Sequence, residues 1–269
     1  MEKITVIGAG NMGSALIRGF LASGMATSED MLFFDVDPLK VRTLEEELDI
    51  QSAGHLRDAL TSDTTVLLLA VKPQIIGDVL DSLADKIDDR LLVVSIAAGI
   101  STKFILSRIQ GPARVIRAMP NAAAMLGCSA TALCGAGIAD ESDAERAVQL
   151  FSAVGTAVMV NEKMINTVTA LASSGLGYLF VMMEALTDAG VRLGLDRATA
   201  RELTVRTFGG AAAMAASGGV PFSELKDRIT SPGGTTIAGL QVLERSGLRG
   251  ILMDVVEAAA RRADELASG

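Results

Sequence analysis

The chain has 269 residues, room for one large domain or two ordinary ones, and a formal net charge of −8 with no basic cluster. That balance argues against nucleic acid or an anionic membrane as partner, since both are held by clustered Lys and Arg. With one histidine, His55, and two cysteines, neither a His-based triad nor a metal site nor a disulfide framework is expected, and Cys128 and Cys134 read as buried small hydrophobes in a reducing cytosol.

The first stretch, MEKITVIGAG, runs almost directly into a strand with no signal peptide ahead of it, and a cytoplasmic location is expected. Over residues 1–160, short β-type runs alternate with helical patterns. Residues 4–7, 31–34, 66–70, 91–95 and 115–117 read as strands. Their near-continuous apolar character predicts a mostly parallel sheet covered on both faces. Residues 38–48 and 74–83 read as helices between them, and 129–134 and 156–160 as two further strands. This is the βαβ series of a Rossmann-type α/β domain. From about Lys163 no strand signal survives. Residues 164–193, 196–216, 222–229 and 234–268 read as helices or helix pairs. The expected domains are therefore 1–160 and 161–269, packed on one another rather than tethered.

Two uncharged stretches, 118–139 and 164–183, are long enough to span a membrane. The first holds Pro120 and Asn121, the second Asn166 with several threonines, serines and glycines, so both read as buried protein. In the second helical pattern the charges Glu184, Asp188 and Arg192 form a single stripe at i, i+4, i+8. A helix with so narrow a polar face needs burial almost all round, more than a small helical domain can supply alone. That predicts a partner subunit.

The loop GAGNMG, Gly8 to Gly13, follows a strand and opens an amphipathic helix. Gly8 allows the tight turn, Gly10 lets the backbone approach a pyrophosphate, and Gly13 lets helix and strand pack closely. With Ala9, Asn11 and Met12, they would hold the phosphates at the helix N-terminus. About twenty residues on, Asp35 ends the second strand. A carboxylate there can accept both adenine-ribose hydroxyls, which favours NADH over NADPH; the same residue also suits a turn in Asp-Val-Asp-Pro. Lys40 and Arg42 lie close enough in sequence to offset that preference. Two more loops, Ala70-Val71-Lys72-Pro73 and Ser95-Ile96-Ala97-Ala98-Gly99, leave strand ends at the edge where open α/β sheets bind ligands. Lys72 reads equally as a solvated strand-end charge.

A second glycine-rich loop, SPGGTT at 231–236, precedes an apolar helix carrying Ile237, Leu240 and Leu243. Gly233 and Gly234 let the backbone come close to a small ligand, and free N–H groups at a helix start attract an anion. Alternatively, Ser231 or Thr235 caps the helix and the glycines make a turn.

GAGNMG, AVKPQ, SIAAG, RAMPN (117–121) and SPGGTTIAGLQVLE (231–244) occur in this order and together resemble the pyrroline-5-carboxylate reductases over essentially the whole chain. The resemblance implies an N-terminal Rossmann domain and an all-helical C-terminal dimerisation domain. It implies an intertwined homodimer, in some members five dimers in a ring, and NAD(P)H-dependent reduction of 1-pyrroline-5-carboxylate to L-proline. It implies that Val71 and Lys72 lie near the ribose and nicotinamide, and Asn121 of the RAMPN stretch is counted with the cofactor residues. Ser231, Gly233, Gly234, Thr235 and Thr236 would line the substrate pocket, with Thr236 as the catalytic hydroxyl and the loop supplied by the dimer mate. Two departures leave a related cyclic imine open as substrate. Ala172–Tyr178 reads ASSGLGY where the family has SGSGPAY, and Gly219-Val220-Pro221 replaces an acidic E-H-P context. The β-hydroxyacid dehydrogenases share the architecture but rely on a lysine in the long helix, and none occurs between Lys163 and Lys226. A non-catalytic NAD-binding regulator is the third reading.

Overall fold

The computed structural model describes residues 2–268. It separates into two compact units, Met1–Ser173 with Ala260–Gly269, and Ser174–Ala259.

The first unit is built on one eight-stranded sheet. In chain order it runs β1 (Ile4–Ile7), α1 (Asn11–Ala22), β2 (Met31–Phe34), α2 (Pro38–Leu48), β3 (Gln51–Ser52), β4 (Val66–Leu69), α3 (Ile76–Leu83), β5 (Leu92–Ser95) and α4 (Thr102–Arg108). It continues with β6 (Arg114–Met119), β7 (Ser129–Gly137), α5 (Glu141–Ser152) and β8 (Gly155–Met159). The strand order is β3-β2-β1-β4-β5-β6-β7-β8. β1 pairs in parallel with both β2 and β4, so the chain reverses direction across the sheet at β1, the switch point where open α/β sheets bind ligands. β7 alone runs antiparallel to its neighbour β6, with Arg117 opposite Cys134, and β8 pairs in parallel with β7. The expected parallel sheet thus ends in a reversed pair.

Alternation along the strands fills two apolar layers. Val66, Leu68, Val94 and Ile116 join Leu16, Phe20, Phe33 and Phe151 on one face. Leu67, Leu69, Val93 and Val115 join Leu80, Leu83 and Ile105 on the other. Each fully buried side chain contributes about 1.5–3 kcal/mol relative to exposure. Local signals set the helix starts. Asp37 accepts from the Leu39 N–H at 3.0 Å with Pro38 in the first turn of α2. Ser101 accepts from the Phe104 N–H at 3.1 Å at α4. Asp140 and Asp143 form a reciprocal capping box at α5.

After β8 come a 3-10 turn (Glu162–Met164), α6 (Ile165–Val168) and a π-helical turn (Thr169–Ser173). The second unit then holds α7 (Gly175–Arg192), α8 (Arg197–Ala216), α9 (Phe222–Arg228) and α10 (Thr235–Arg245), and α11 (Leu248–Ser268) begins within it. The single helix predicted over 164–193 is therefore interrupted by a π turn. In α7 and α8, Thr187 and Thr204 meet hydroxyl to hydroxyl at 3.3 Å. Among the described residues of this unit only Thr187, Ala200 and Thr204 are buried. Phe180 and Val181 are each 65% exposed in the single chain. The segment 162–192 is long and apolar enough to cross a membrane by length and composition. The stretch 118–139 is not a helix; it is the end of β6, a 3-10 turn (Ala122–Leu126) and β7. Cys134 is buried as expected, but Cys128, expected to be buried as well, is exposed, because it stands in the open loop between that 3-10 turn and β7.

Candidate active site

The glycine loop after β1 is shaped by close backbone approaches. The Gly8 N–H donates to the Phe34 carbonyl at 2.8 Å, with φ at +104°, and a Cβ there would fall 2.6 Å from the Ala70 oxygen. A Cβ on Gly13 would overlap the Gly8 carbonyl oxygen. Both glycines are thus demanded by the protein's own packing. Gly10 differs, since no atom lies within 4 Å of the position its Cβ would take. The space above it is open, and α1 starts there with no side-chain cap on its first-turn amides. Free N–H groups under an open cradle suit a pyrophosphate.

That cradle is one wall of a cavity of about 460 Å³. It brings together Gly10, Asn11 and Met12 from the first loop, Ala70, Val71, Lys72 and Pro73 after β4, and Ile96, Ala97 and Ala98 after β5. Met119 and Pro120 close it from the end of β6, and Lys40 stands at the rim. Every contributing strand offers its C-terminal end. Gly8, Ala9 and Gly13 lie buried beneath the loop rather than in the lining. A somewhat larger cavity, about 530 Å³, lies along α1 near Ser14, Ala22 and Met125. Its one charged side chain, Arg18, is already paired with Glu47, and it sits away from the strand ends.

Asp35 directly follows β2. Its Oδ2 accepts the Ala9 N–H at 2.6 Å and its Oδ1 the Asp37 N–H at 2.9 Å. The carboxylate therefore organises the glycine loop. Lys40 Nζ lies 3.7 Å from Asp37 Oδ2. Asn121 directly follows the lining residue Pro120 but is not itself part of the lining. It is buried, its Nδ2 donates to the Ala172 carbonyl at 3.1 Å, and its Oδ1 accepts the Ala123 N–H at 3.1 Å. Both ends of its amide are engaged by backbone, so the RAMPN stretch reaches the cavity through Met119 and Pro120. Among the described residues no cluster of three or more His, Cys, Asp or Glu could hold a metal.

In the second unit, Ser231 to Thr236 forms an exposed turn into α10. Gly233 has φ at +66°, and the Gly234 N–H donates to the Ser231 carbonyl at 3.1 Å. A Cβ on Gly234 would overlap the Ser231 hydroxyl, and α10 begins at Gly234 with no side-chain cap. Neither Ser231 nor Thr235 caps the helix, so its first amides stay available to an outside acceptor.

Sequence reasoning missed a polar cluster that joins the chain just after Ala98 to the chain just before Met119, two segments that line the cavity. Glu162 Oε1 accepts the Thr102 N–H at 2.7 Å, Glu162 Oε2 accepts the Thr102 hydroxyl at 2.7 Å, and Arg117 Nη1 lies 3.3 Å from Oε1. Burial pushes the Glu162 carboxyl up, but the Thr102 hydrogen bonds and the Arg117 guanidinium together hold it below the ordinary carboxylate value. No motif marks Glu162 in sequence; only the fold brings it to Thr102 and Arg117.

A Rossmann-type sheet with an open glycine cradle at its switch point, followed by a helical unit, defines a dinucleotide-dependent oxidoreductase. Residues 162–266 match the pyrroline-5-carboxylate reductase dimerisation family, and residues 3–99 the family described as NADP oxidoreductase coenzyme F420-dependent. The chain is 39% identical to the pyrroline-5-carboxylate reductase of Methanosarcina acetivorans over 98% of both sequences. It is 39% identical to that of Pisum sativum over 97% of this chain and 94% of the relative. A solved pyrroline-5-carboxylate reductase from Coxiella burnetii superposes with a TM-score of 0.94 at 34% identity, covering 98% of each chain. The chain belongs to the pyrroline-5-carboxylate reductase family.

Proposed function

We propose that this protein reduces 1-pyrroline-5-carboxylate to L-proline with a reduced nicotinamide dinucleotide. The observation that carries the reading is the open, uncapped cradle at Gly10 at the head of a strand-end cavity, in a chain that aligns end to end with reductases of this name. The dinucleotide supplies the hydride. The protein's own part is placement. The first-turn amides of α1, with Gly10, Asn11 and Met12, hold the pyrophosphate. Asp35 faces the adenine ribose, which favours NADH, although Lys40 at the rim offers a countercharge to a 2′-phosphate. Ala70, Val71 and Lys72 on one side and Ala97 and Ala98 on the other flank the nicotinamide. Asn121 contributes indirectly, by holding the segment behind Pro120.

Ser231, Gly233, Gly234 and Thr235 bind the substrate carboxylate through the uncapped N-terminus of α10, without an arginine. The Thr236 hydroxyl holds a proton at the ring nitrogen while the imine carbon is reduced. A protonated cyclic imine is already electrophilic, so proximity and orientation, worth about 7–11 kcal/mol, do most of the work. This needs no histidine and no acid/base dyad. We further propose residues 1–160 as the nucleotide domain and 161–269 as the helical domain, a cytoplasmic setting, and a homodimer joined through the C-terminal helices. The helical unit supports the dimer, since it leaves Phe180 and Val181 uncovered.

The test is NADH oxidation with pyrroline-5-carboxylate by the wild type and by Thr236→Ala. The variant is expected to fold and bind NADH normally while kcat/KM falls by about ten-fold or more, at least about 1.4 kcal/mol in the barrier. An early-melting variant that turns over normally would make the loop structural.

A further inference from the structure

We propose that Glu162 is a positioning residue that fixes the nicotinamide end of the cofactor cavity by tying its two walls to one carboxylate. The proposal rests on the cofactor reading above. One wall is the loop from Ile96 to Ser101. It leaves β5 with the Ile96 N–H bonded to the Leu69 carbonyl at 3.1 Å. It turns at Gly99, where φ is +75°, and ends at Thr102, whose N–H and hydroxyl both go to Glu162 at 2.7 Å. The other wall is Met119-Pro120. It follows Arg117 in β6, which approaches the same carboxylate at 3.3 Å.

Thr102 and Arg117 are each 5% exposed and the Glu162 side chain 33%, so in the folded protein both donors meet this carboxylate rather than solvent. Unlike the many exposed pairs on this surface, which are worth little, this one joins a charged donor, a backbone donor and a hydroxyl, each desolvated. The loop between the two anchors has few bonds of its own. The Ala97 N–H reaches Ser95 Oγ at 3.3 Å and the Ile100 N–H reaches the Ala97 carbonyl at 3.4 Å, both long. Ala97 is buried in the apolar layer that also holds Ile105, whereas Ala98 is exposed and has only a methyl group, with nothing polar to hold it in place. The position of Ala98 is set from either side, by the buried Ala97 before it and by the Thr102 anchor at Glu162 after it.

The test is fluorescence titration of NADH, with hydrogen exchange of residues 96–102, on the full-length protein. Glu162→Ala is expected to raise the NADH dissociation constant by about ten-fold and to speed exchange of the 96–102 amides. Thr102→Val, which removes only the hydroxyl, should move both readouts the same way by a smaller factor. The double variant should add little to Glu162→Ala, because both act through one carboxylate. Glu2→Ala is the stability control. Glu2 holds Arg146 at 2.6 Å and the Thr65 hydroxyl at 2.6 Å, at the opposite ends of the strands. It should lower the melting temperature and leave NADH affinity unchanged. If the wild type binds neither NADH nor NADPH, the cofactor reading fails; if it binds only NADPH, the same titration is run with NADPH. If it binds and Glu162→Ala binds equally well, the positioning role is wrong. Should Glu162→Ala not fold, Thr102→Val decides, and unchanged affinity and exchange in it overturn the proposal.

Discussion

The side-chain amide of Asn121 donates to the carbonyl of Ala172 at 3.1 Å, and Ala172 lies inside the π-helical turn that precedes the long helix α7. A π turn breaks the regular i to i+4 ladder and leaves a carbonyl in want of a donor. Asn121 provides it, and with its oxygen caps the following 3-10 turn. Asn121→Ala leaves the half-buried Ala172 carbonyl and the Ala123 N–H without their partner and costs about 1–3 kcal/mol. The melting temperature is expected to fall by about 3 °C or more, read by calorimetry. Lost NADH affinity at unchanged melting temperature would return Asn121 to the cofactor itself.

Gly10 and Gly13 separate ligand from fold. Gly10→Ala meets no protein atom and sits at φ −68°, which alanine adopts freely, so stability should not change. Its methyl group enters the cradle, and NADH affinity should drop by about ten-fold or more. Gly13→Ala drives a methyl into the Gly8 carbonyl and should give destabilised or insoluble protein. Thermal melts and NADH titration of the two variants check this.

Asp35→Asn keeps an acceptor for the Ala9 N–H but removes the charge facing a 2′-phosphate. Like charges at about 4 Å cost about 1 kcal/mol in water and about 4 near a protein surface. The NADPH-to-NADH ratio of kcat/KM is therefore expected to rise by about ten-fold. A wild type that already prefers NADPH would assign the 2′-phosphate to Lys40 and leave Asp35 as the organiser of the loop.

Phe180→Asp places a charge on an apolar face that is 65% exposed in the single chain. Sedimentation should show monomers or aggregates in place of the wild-type dimer. A well-folded, active wild-type monomer would sink both the dimer and the shared pocket.

Acid titration reports the Glu162 clamp. Its carboxyl is held low in the fold, so its stabilisation is complete above the ordinary value of 4.5 and is lost as pH falls through the lower folded value. Glu162→Gln has no carboxylate to take up a proton there. Its melting temperature should decline less steeply than the wild type's over that acid range.

The N-terminal half was legible because parallel strands buried on both faces write themselves as apolar runs. Residues 4–7 and 31–34 come out as predicted, and 66–70 and 91–95 to within one residue. β3 was not legible: Gln51-Ser52 is two polar residues that pair only because β2 offers an edge. Nor was the reversal of β7, since a strand's direction is set by its connection and not by its composition. Glycine roles could be read from spacing, but the polar contacts of Asn121 and Glu162 could not. Their partners, Ala172 and Thr102, stand 51 and 60 residues away in sequence.

The antiparallel pairing of β6 and β7 also gives the protein two chemically distinct thiols. Cys134, opposite Arg117, is buried, and that burial, helped by the Glu162 charge, pushes its thiol up to about 11. Cys128 stands in the open. At neutral pH an alkylating reagent meets Cys128 alone, so the wild-type chain carries a single attachment point for a fluorophore or mass tag next to the β6–β7 hairpin. Cys134 becomes reachable only when that pair of strands parts. The rate at which it is trapped is then a clock for the opening of the sheet's reversed edge.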